Sequence, residues 1–347
     1  MKKTSSTNQV TTIFGFVALF LITILFPGCG KQKDPFRQEN QFSIVSTFST
    51  PGSAHRVYVA KGYAYVVDDQ AGVWVVDVSN PPEPTFVTTI GLDQSATNVE
   101  AVHILEENNI ALVADYDIGL LIYDIKDVTN PELLNIAFDR DVEGTFGIDR
   151  GDTIFVFAAD RNEGFKVNRY EKQPGGTWNW FYYTFFKRIP FLYGDALDVA
   201  ATEAFAYVAN DHIGVEIIDL SLPDSSAHIK TIDTPGGARA LSIWNEYLFL
   251  AAYQKGVQII DVSNPAEAKV IGSYEDVDRV GDVFVSDNYA YVADRDEGVL
   301  VLDVSDPSGP SLIGWVETPY AQGVFASANY VYIADRDWGL VIVERKL

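Results

Sequence analysis

The sequence predicts an all-β fold, a seven-bladed β-propeller, on three observations. A phrase of apolar residues, an acidic turn, a glycine and a second apolar run recurs seven times. The repeat glycines Gly72, Gly119, Gly164, Gly214, Gly256, Gly298 and Gly339 follow one another at about 40 to 50 residues, the length of four short strands and their turns. Composition agrees: 47% of the 347 residues are apolar and 13% aromatic, and Val, Ile, Tyr and Phe suit pleated, half-buried surfaces.

The first repeat can be divided completely, naming strands A to D outward from the ring centre. His55–Ala60 reads as strand A, Tyr63–Asp68 as B, Gly72–Val78 as C and Thr85–Ile90 as D. The B–C turn carries Asp and Gly, which tolerate left-handed backbone and bond the turn themselves. Strand C stops at Asp77-Val-Ser-Asn-Pro81, because Pro has no N–H for the ladder and Asp caps the turn. The stop recurs at Asp261–Pro265 and Asp303–Pro307, with a variant at Asp219–Pro223. These aspartates are therefore read as structural.

The chain ends specify closure. The last repeat finishes at strand C, Leu340–Arg345, with no residues left for a fourth strand. Residues 42–48 read like the D strands at Lys269–Tyr274 and Ser311–Val316, and they are expected to complete the seventh blade. Joining the termini in one sheet leaves no open edge. The propeller is thus expected over 41–347, after a tether at 29–40.

Phrases such as Gly298-Val-Leu-Val-Leu-Asp-Val-Ser-Asp-Pro307 resemble the LVIVD-repeat family of bacterial surface and envelope proteins, itself similar to WD-type propellers. The resemblance covers roughly Gln41 to Leu347. It implies a surface-exposed propeller with no assigned activity, so no catalytic residue carries over. The third repeat departs most: Arg169 stands where other repeats have Asp, and no Ser-x-Pro stop follows.

The N-terminus is a separate object. Lys2 and Lys3 precede an apolar run from Ile13 to Phe26. As a helix this run spans about 21 Å, short of the roughly 30 Å a bilayer core requires. It reads as a signal peptide over 1–28. Leu25-Phe26-Pro27-Gly28-Cys29 resembles the lipobox of bacterial lipoproteins, departing from its usual aliphatic and small residues at Phe26 and Pro27. Cys29 is the only cysteine in the chain and the expected lipidation site, which excludes an internal disulfide. The expected location is the cell envelope, held to the membrane by the N-terminal lipid. Gly30, rather than Asp, after that cysteine points to the outer membrane or cell surface.

A formal charge of −23 excludes nucleic acid as partner. No cofactor is expected. The turns Asp115–Gly119, Asp294–Gly298 and Asp335–Gly339 offer calcium-type oxygens, the alternative reading. However, Gly falls at the fifth position and no Glu follows at the twelfth. Of the four histidines, His55 and His103 lie in strands A of adjacent blades, where a ring could bring them near each other. There is no Gly-x-Ser-x-Gly elbow and no phosphate-binding loop.

Propellers bind on the face formed by D–A loops and B–C turns. Here the candidates from D–A loops and strand starts are His55, Arg56, Glu100, Asp195, Asp198, Arg239, Arg279 and Asp282. Arg161, His212, Lys255, Arg295, Arg336 and Trp338 come from the B–C turns. A second candidate is the aromatic segment 177–193, read as a long C–D hairpin with Trp178, Trp180 and Tyr182 on one face. The expected role is a scaffold binding an envelope or extracellular protein or glycan. The alternative is an extracellular hydrolase or lyase at the channel mouth, using carboxylates such as Asp195, Asp198 and Asp282.

Overall fold

The computed structural model describes residues 42–69, 71–91, 98–174, 177–178, 185–189, 195–221 and 227–346; for 185–189 the description is of backbone alone. These belong to one compact unit, Gln38–Leu347. Residues 1–37, with Cys29, lie outside the described residues, as do Trp180 and Tyr182. Among the described residues no helix is long and apolar enough to cross a membrane.

Seven four-stranded sheets are present, each antiparallel throughout. The first blade contains Ala54–Ala60, Tyr63–Asp68, Gly72–Asp77 and Thr85–Ile90, close to the sequence reading; strand C ends one residue earlier, at Asp77. The seventh sheet takes its outer strand from the other end of the chain. Phe42–Phe48 pairs antiparallel with Gly339–Arg345, Phe42 opposite Arg345 and Phe48 opposite Leu340. Ser46 Oγ also donates to the Pro81 carbonyl at 2.6 Å, tying this strand to the first blade.

Val, Ile, Leu and Ala fill seven hydrophobic clusters, and each cluster spans two neighbouring blades. The cluster that joins the ends contains Val57, Val66 and Val76 from the first blade with Tyr332, Leu340 and Ile342 from the seventh. A single twisted sheet buries too little alone, so the blades stack their faces and the ring closes on itself.

The glycine that opens strand C marks the tightest packing in the repeat. Gly339 has φ +79°, and a Cβ there would stand 2.5 Å from the Phe48 carbonyl of the closing strand. A side chain would be strained by both its backbone angle and its neighbour.

Candidate functional site

The seven A strands surround a channel, and each begins with an equivalent tetrapeptide. In blade order these are His55-Arg-Val-Tyr58, Glu100-Ala-Val-His103, Glu143-Gly-Thr-Phe146, Leu197-Asp-Val-Ala200, Arg239-Ala-Leu-Ser242, Gly281-Asp-Val-Phe284 and Gln322-Gly-Val-Phe325. In five blades the ladder slips by one residue across the first position, as between Ala54 and Arg56 or Ala321 and Gly323. Such a bulge re-aims the extra side chain. Here the seven first-position residues line one polar vestibule at the channel mouth, a cavity of ~180 Å³, together with Arg161 and Arg295 from the turns.

Charge in the vestibule is paired locally. Arg161 Nη2 lies 2.7 Å from Glu143 Oε1, and Arg239 Nη2 lies 3.3 Å from Asp211 Oδ1. His55 Nε2 is 3.2 Å from the Glu100 carbonyl, and its Nδ1 is 3.4 Å from Asp69. Burial, then the neighbouring Glu143 charge, holds the Glu100 carboxyl above its ordinary value. Burial does the same to Glu143, against the pull of Arg161 and Arg56.

The second positions form a belt across the channel: Arg56, Ala101, Gly144, Asp198, Ala240, Asp282 and Gly323. One long cation faces two carboxylates, and every other member is small. Arg56 Nη1 reaches Asp198 Oδ1 at 3.3 Å. Asp198 Oδ2 accepts from the Leu241 N–H at 2.9 Å, and Asp282 Oδ2 accepts from the Val324 N–H at 3.0 Å. Each aspartate therefore fastens its blade to the next. Burial raises both carboxyl pKa values, with Arg56 opposing. Gly323 has no room for a side chain, since a Cβ would stand 2.5 Å from the His55 carbonyl and 2.8 Å from Arg56 Cα.

Below the belt the channel widens into a chamber of ~480 Å³. The fourth positions dominate it. Phe146, His103, Tyr58, Phe325 and Phe284 touch in succession, with ring centroids 4.3, 5.2, 5.1 and 4.4 Å apart. Blades four and five contribute Ala200 and Ser242 instead, leaving one side of the chamber open to its lumen. Ser242 Oγ accepts the Val285 N–H at 3.0 Å.

His103 belongs to this aromatic layer, whereas His55 belongs to the vestibule above the belt. Adjacency in the ring therefore does not bring the two imidazoles together as a pair. Burial among rings lowers the His103 pKa from 6.5 to about 4. The unfolded chain thus binds the proton first as pH falls, and stability drops through the window from 6.5 to about 4. The full loss is about 3 kcal/mol. Urea unfolding of the protein and His103→Phe between pH 7.5 and 4 is expected to show this slope only in the parent.

On the mouth face, arginines and tyrosines alternate across blades five to seven. The Arg239 guanidinium lies 5.3 Å from the Tyr253 ring centre, and Arg295 lies 5.4 Å from Tyr253 and 5.8 Å from Tyr320. Arg336 sits 3.7 Å over Tyr320. Arg295 Nη1 also donates to the Tyr320 hydroxyl at 3.0 Å. A further stack, Arg161 over Tyr116 at 5.6 Å, stands apart on blades two and three. Trp338, 40% exposed, extends the face beside Arg336 in the same turn.

The acidic B–C turns are built by their first aspartate. Asp115 Oδ1 accepts from the Asp117 and Ile118 N–H groups, both at 2.9 Å, and Asp335 Oδ1 accepts from Asp337 and Trp338 at 2.9 Å. Asp294 accepts from Asp278 and Arg279, joining the turn to the preceding D–A loop. Among the described residues no three His, Cys, Asp or Glu side chains are grouped to hold a metal ion.

The remaining candidates scatter. Arg279 pairs with Asp278 at 3.2 Å and with Asp296, outside the vestibule. Asp195 uses its carbonyl to accept the Asp211 N–H. His212 and Lys255 are exposed on turns. Trp178 is half-buried against the core between blades two and three, with Lys172 Nζ 5.0 Å from its ring. Sequence reasoning missed Glu143, Gln322, Tyr253, Tyr320 and the aromatic layer. Writing the seven A strands in register would have exposed all but the two tyrosines.

Comparison with known proteins places this architecture. Many solved structures match it, two of them as follows, each at 10% identity. One is described as the structure of U3-55K, with a TM-score of 0.67 over 89% of this chain and 99% of that one. The other is a computationally designed protein, Ika8, with a TM-score of 0.60 over 87% of this chain and 99% of that one. At that identity they share the fold alone. No curated protein matches. The LVIVD repeat is matched at residues 51–90, 102–137, 193–234, 235–276, 279–318 and 320–344, leaving out all four strands of the third blade. With well over half of its residues matched in six repeats and seven blades closed by its own termini, the chain belongs to the LVIVD repeat family.

Proposed function

We propose that this protein is a cell-envelope lipoprotein, anchored through Cys29, whose propeller holds a protein or glycan partner on its mouth face. The observation that carries the reading is the ladder Arg239–Tyr253–Arg295–Tyr320–Arg336. Arg, Tyr and Trp are the residues on which binding energy concentrates at interfaces. Stacking fixes their conformers before a partner arrives, so less entropy is lost on binding. Blade cores repeat the same apolar residues, whereas the mouth residues vary around the ring. A ring that serves only as a spacer has no need of that variation.

The rival reading, a hydrolase or lyase, relied on Asp195, Asp198 and Asp282. Two of these carboxylates are engaged in fastening blades and holding Arg56. A scaffold uses them as they stand, while a catalyst would have to release them.

The test is recovery of envelope partners on the lipidated protein carrying Arg295→Ala with Tyr320→Ala. Loss of two hot-spot side chains is expected to weaken retention about 30-fold or more, with melting little changed. Unchanged recovery would refute the mouth face as the docking surface. Cys29→Ser is expected to move the protein from the membrane pellet to the soluble fraction; retention in the pellet would refute the lipid anchor.

A further inference from the structure

We propose that the channel chamber below the belt is a binding site for a small organic cation, an ammonium carried on an apolar or aromatic body. This site is distinct from the mouth face and does not depend on the partner proposed for it. Volume comes first: ~480 Å³ lies within the roughly 300 to 1,000 Å³ of small-molecule sites. The walls come second. Tyr58, Phe146, Phe284 and Phe325 present aromatic rings to one space, and ring faces attract cations within about 6 Å.

Charge decides the class of ligand. The belt that roofs the chamber holds two carboxylates and one guanidinium, so with both carboxylates ionised a negative charge is left over. Arg56 is committed to Asp198, while Asp282 has no cation within ion-pair distance among the described residues and is bonded to backbone N–H groups alone. His103 contributes no compensating positive charge at neutral pH, because burial holds it neutral. An anion would therefore meet a negative roof and negative ring faces. A cation would meet both favourably.

Shape gives the orientation. Residues two apart on a strand share a face, so Ala200 lies directly beyond Asp198 on blade four. The small side chains of Ala200 and Ser242 leave the lumen open opposite the aromatic crescent. A ligand seated there places its body against Phe146, Tyr58 and Phe325 and its ammonium under the carboxylates. Arg56 and Asp282 line both chamber and vestibule, so the route from the mouth passes beside the belt.

The experiment is calorimetric titration of the full chain with three probes: benzyltrimethylammonium, its neutral carbon isostere 2,2-dimethylpropylbenzene, and benzenesulfonate. The cation is expected to bind saturably and at least ~10-fold more tightly than either other probe. Asp282→Asn is expected to erase that preference, and Phe325→Leu to weaken cation binding several-fold while the protein still melts cooperatively. If Asp282→Asn does not fold, Phe284→Leu replaces it, with the same weakening expected. Equal binding of the neutral isostere, preference for the sulfonate, or no saturable binding of the cation would each overturn the proposal. So would cation binding unaffected by the aromatic substitutions.

Discussion

Deleting residues 42–48 is expected to abolish cooperative folding. This strand is the outer member of the seventh blade and pairs with Gly339–Arg345 at six positions. Phe42 is buried in the cluster between blades six and seven, and burial of a phenylalanine is worth about 2 to 3 kcal/mol. The lost ladder adds about 0.5 to 1.5 kcal/mol per hydrogen bond. Together these losses approach the whole stability of a domain, roughly 5 to 15 kcal/mol. The deletion also uncovers Gly339–Arg345 as an unpaired edge, which invites association with other chains. Near-UV circular dichroism during heating and size-exclusion chromatography would check both effects. A sharp transition near the parent temperature, with a monomeric elution, would show that the closure is dispensable.

The second large effect is expected at the belt. Asp198→Ala removes the partner of Arg56 and the acceptor of the Leu241 N–H at once, leaving a half-buried cation and an orphaned amide. Breaking this pair from one side, with the amide orphaned and the cation half-exposed, costs about 1 to 3 kcal/mol. Arg56→Leu breaks it from the other side and carries a pH signature. Asp198 and Asp282 already have raised pKa values from burial, and loss of the guanidinium raises them further. A carboxyl raised in the folded state binds its proton there before it does in the unfolded chain. Arg56→Leu is therefore expected to be weakest near neutral pH and to regain stability as pH falls through the raised carboxyl range. Asp198→Ala, keeping its cation, is expected to regain less. Urea midpoints at pH 7 and pH 5 distinguish the two; identical pH responses would contradict the charge balance assigned to the belt.

The strands and their closure were legible in the sequence because both depend on local signals. Alternating apolar residues, the Asp–Gly turns and the Asp-Val-Ser-Asn-Pro stops act within a few residues, and strand boundaries in the first blade fell within one residue of the reading. The third repeat read as the most divergent, and most of it also falls outside the LVIVD match. The aspartates that stop strand C, read as structural, do accept backbone N–H groups: Asp77 from Ser79, Asp261 from Ser263 and Asp303 from Ser305.

The channel was legible only in part, because its contents depend on ring geometry. Arg56 and Asp198 lie 142 positions apart, and only closure brings them together. The bulge at the head of strand A separates His55 from Arg56 into different layers, which a list of mouth residues merges. Asp198 and Asp282, grouped with the loop residues, stand deeper, in the belt. Tyr253 escaped notice because it occupies, in the shortened fifth turn, the place other blades give to Asp or Asn. Trp178, named with the aromatic segment, stands half-buried against the core between blades two and three.

We propose that the mouth face, and not another surface, holds the partner. Cross-linking of the lipidated protein in its native envelope, followed by mass spectrometry, tests it most directly. Reproducible cross-links are expected from the D–A loops and B–C turns of blades five to seven, around Lys255 and the acidic residues flanking Arg295 and Arg336. Cross-links confined to the outer D strands or to the opposite face, with the ladder untouched, would contradict it.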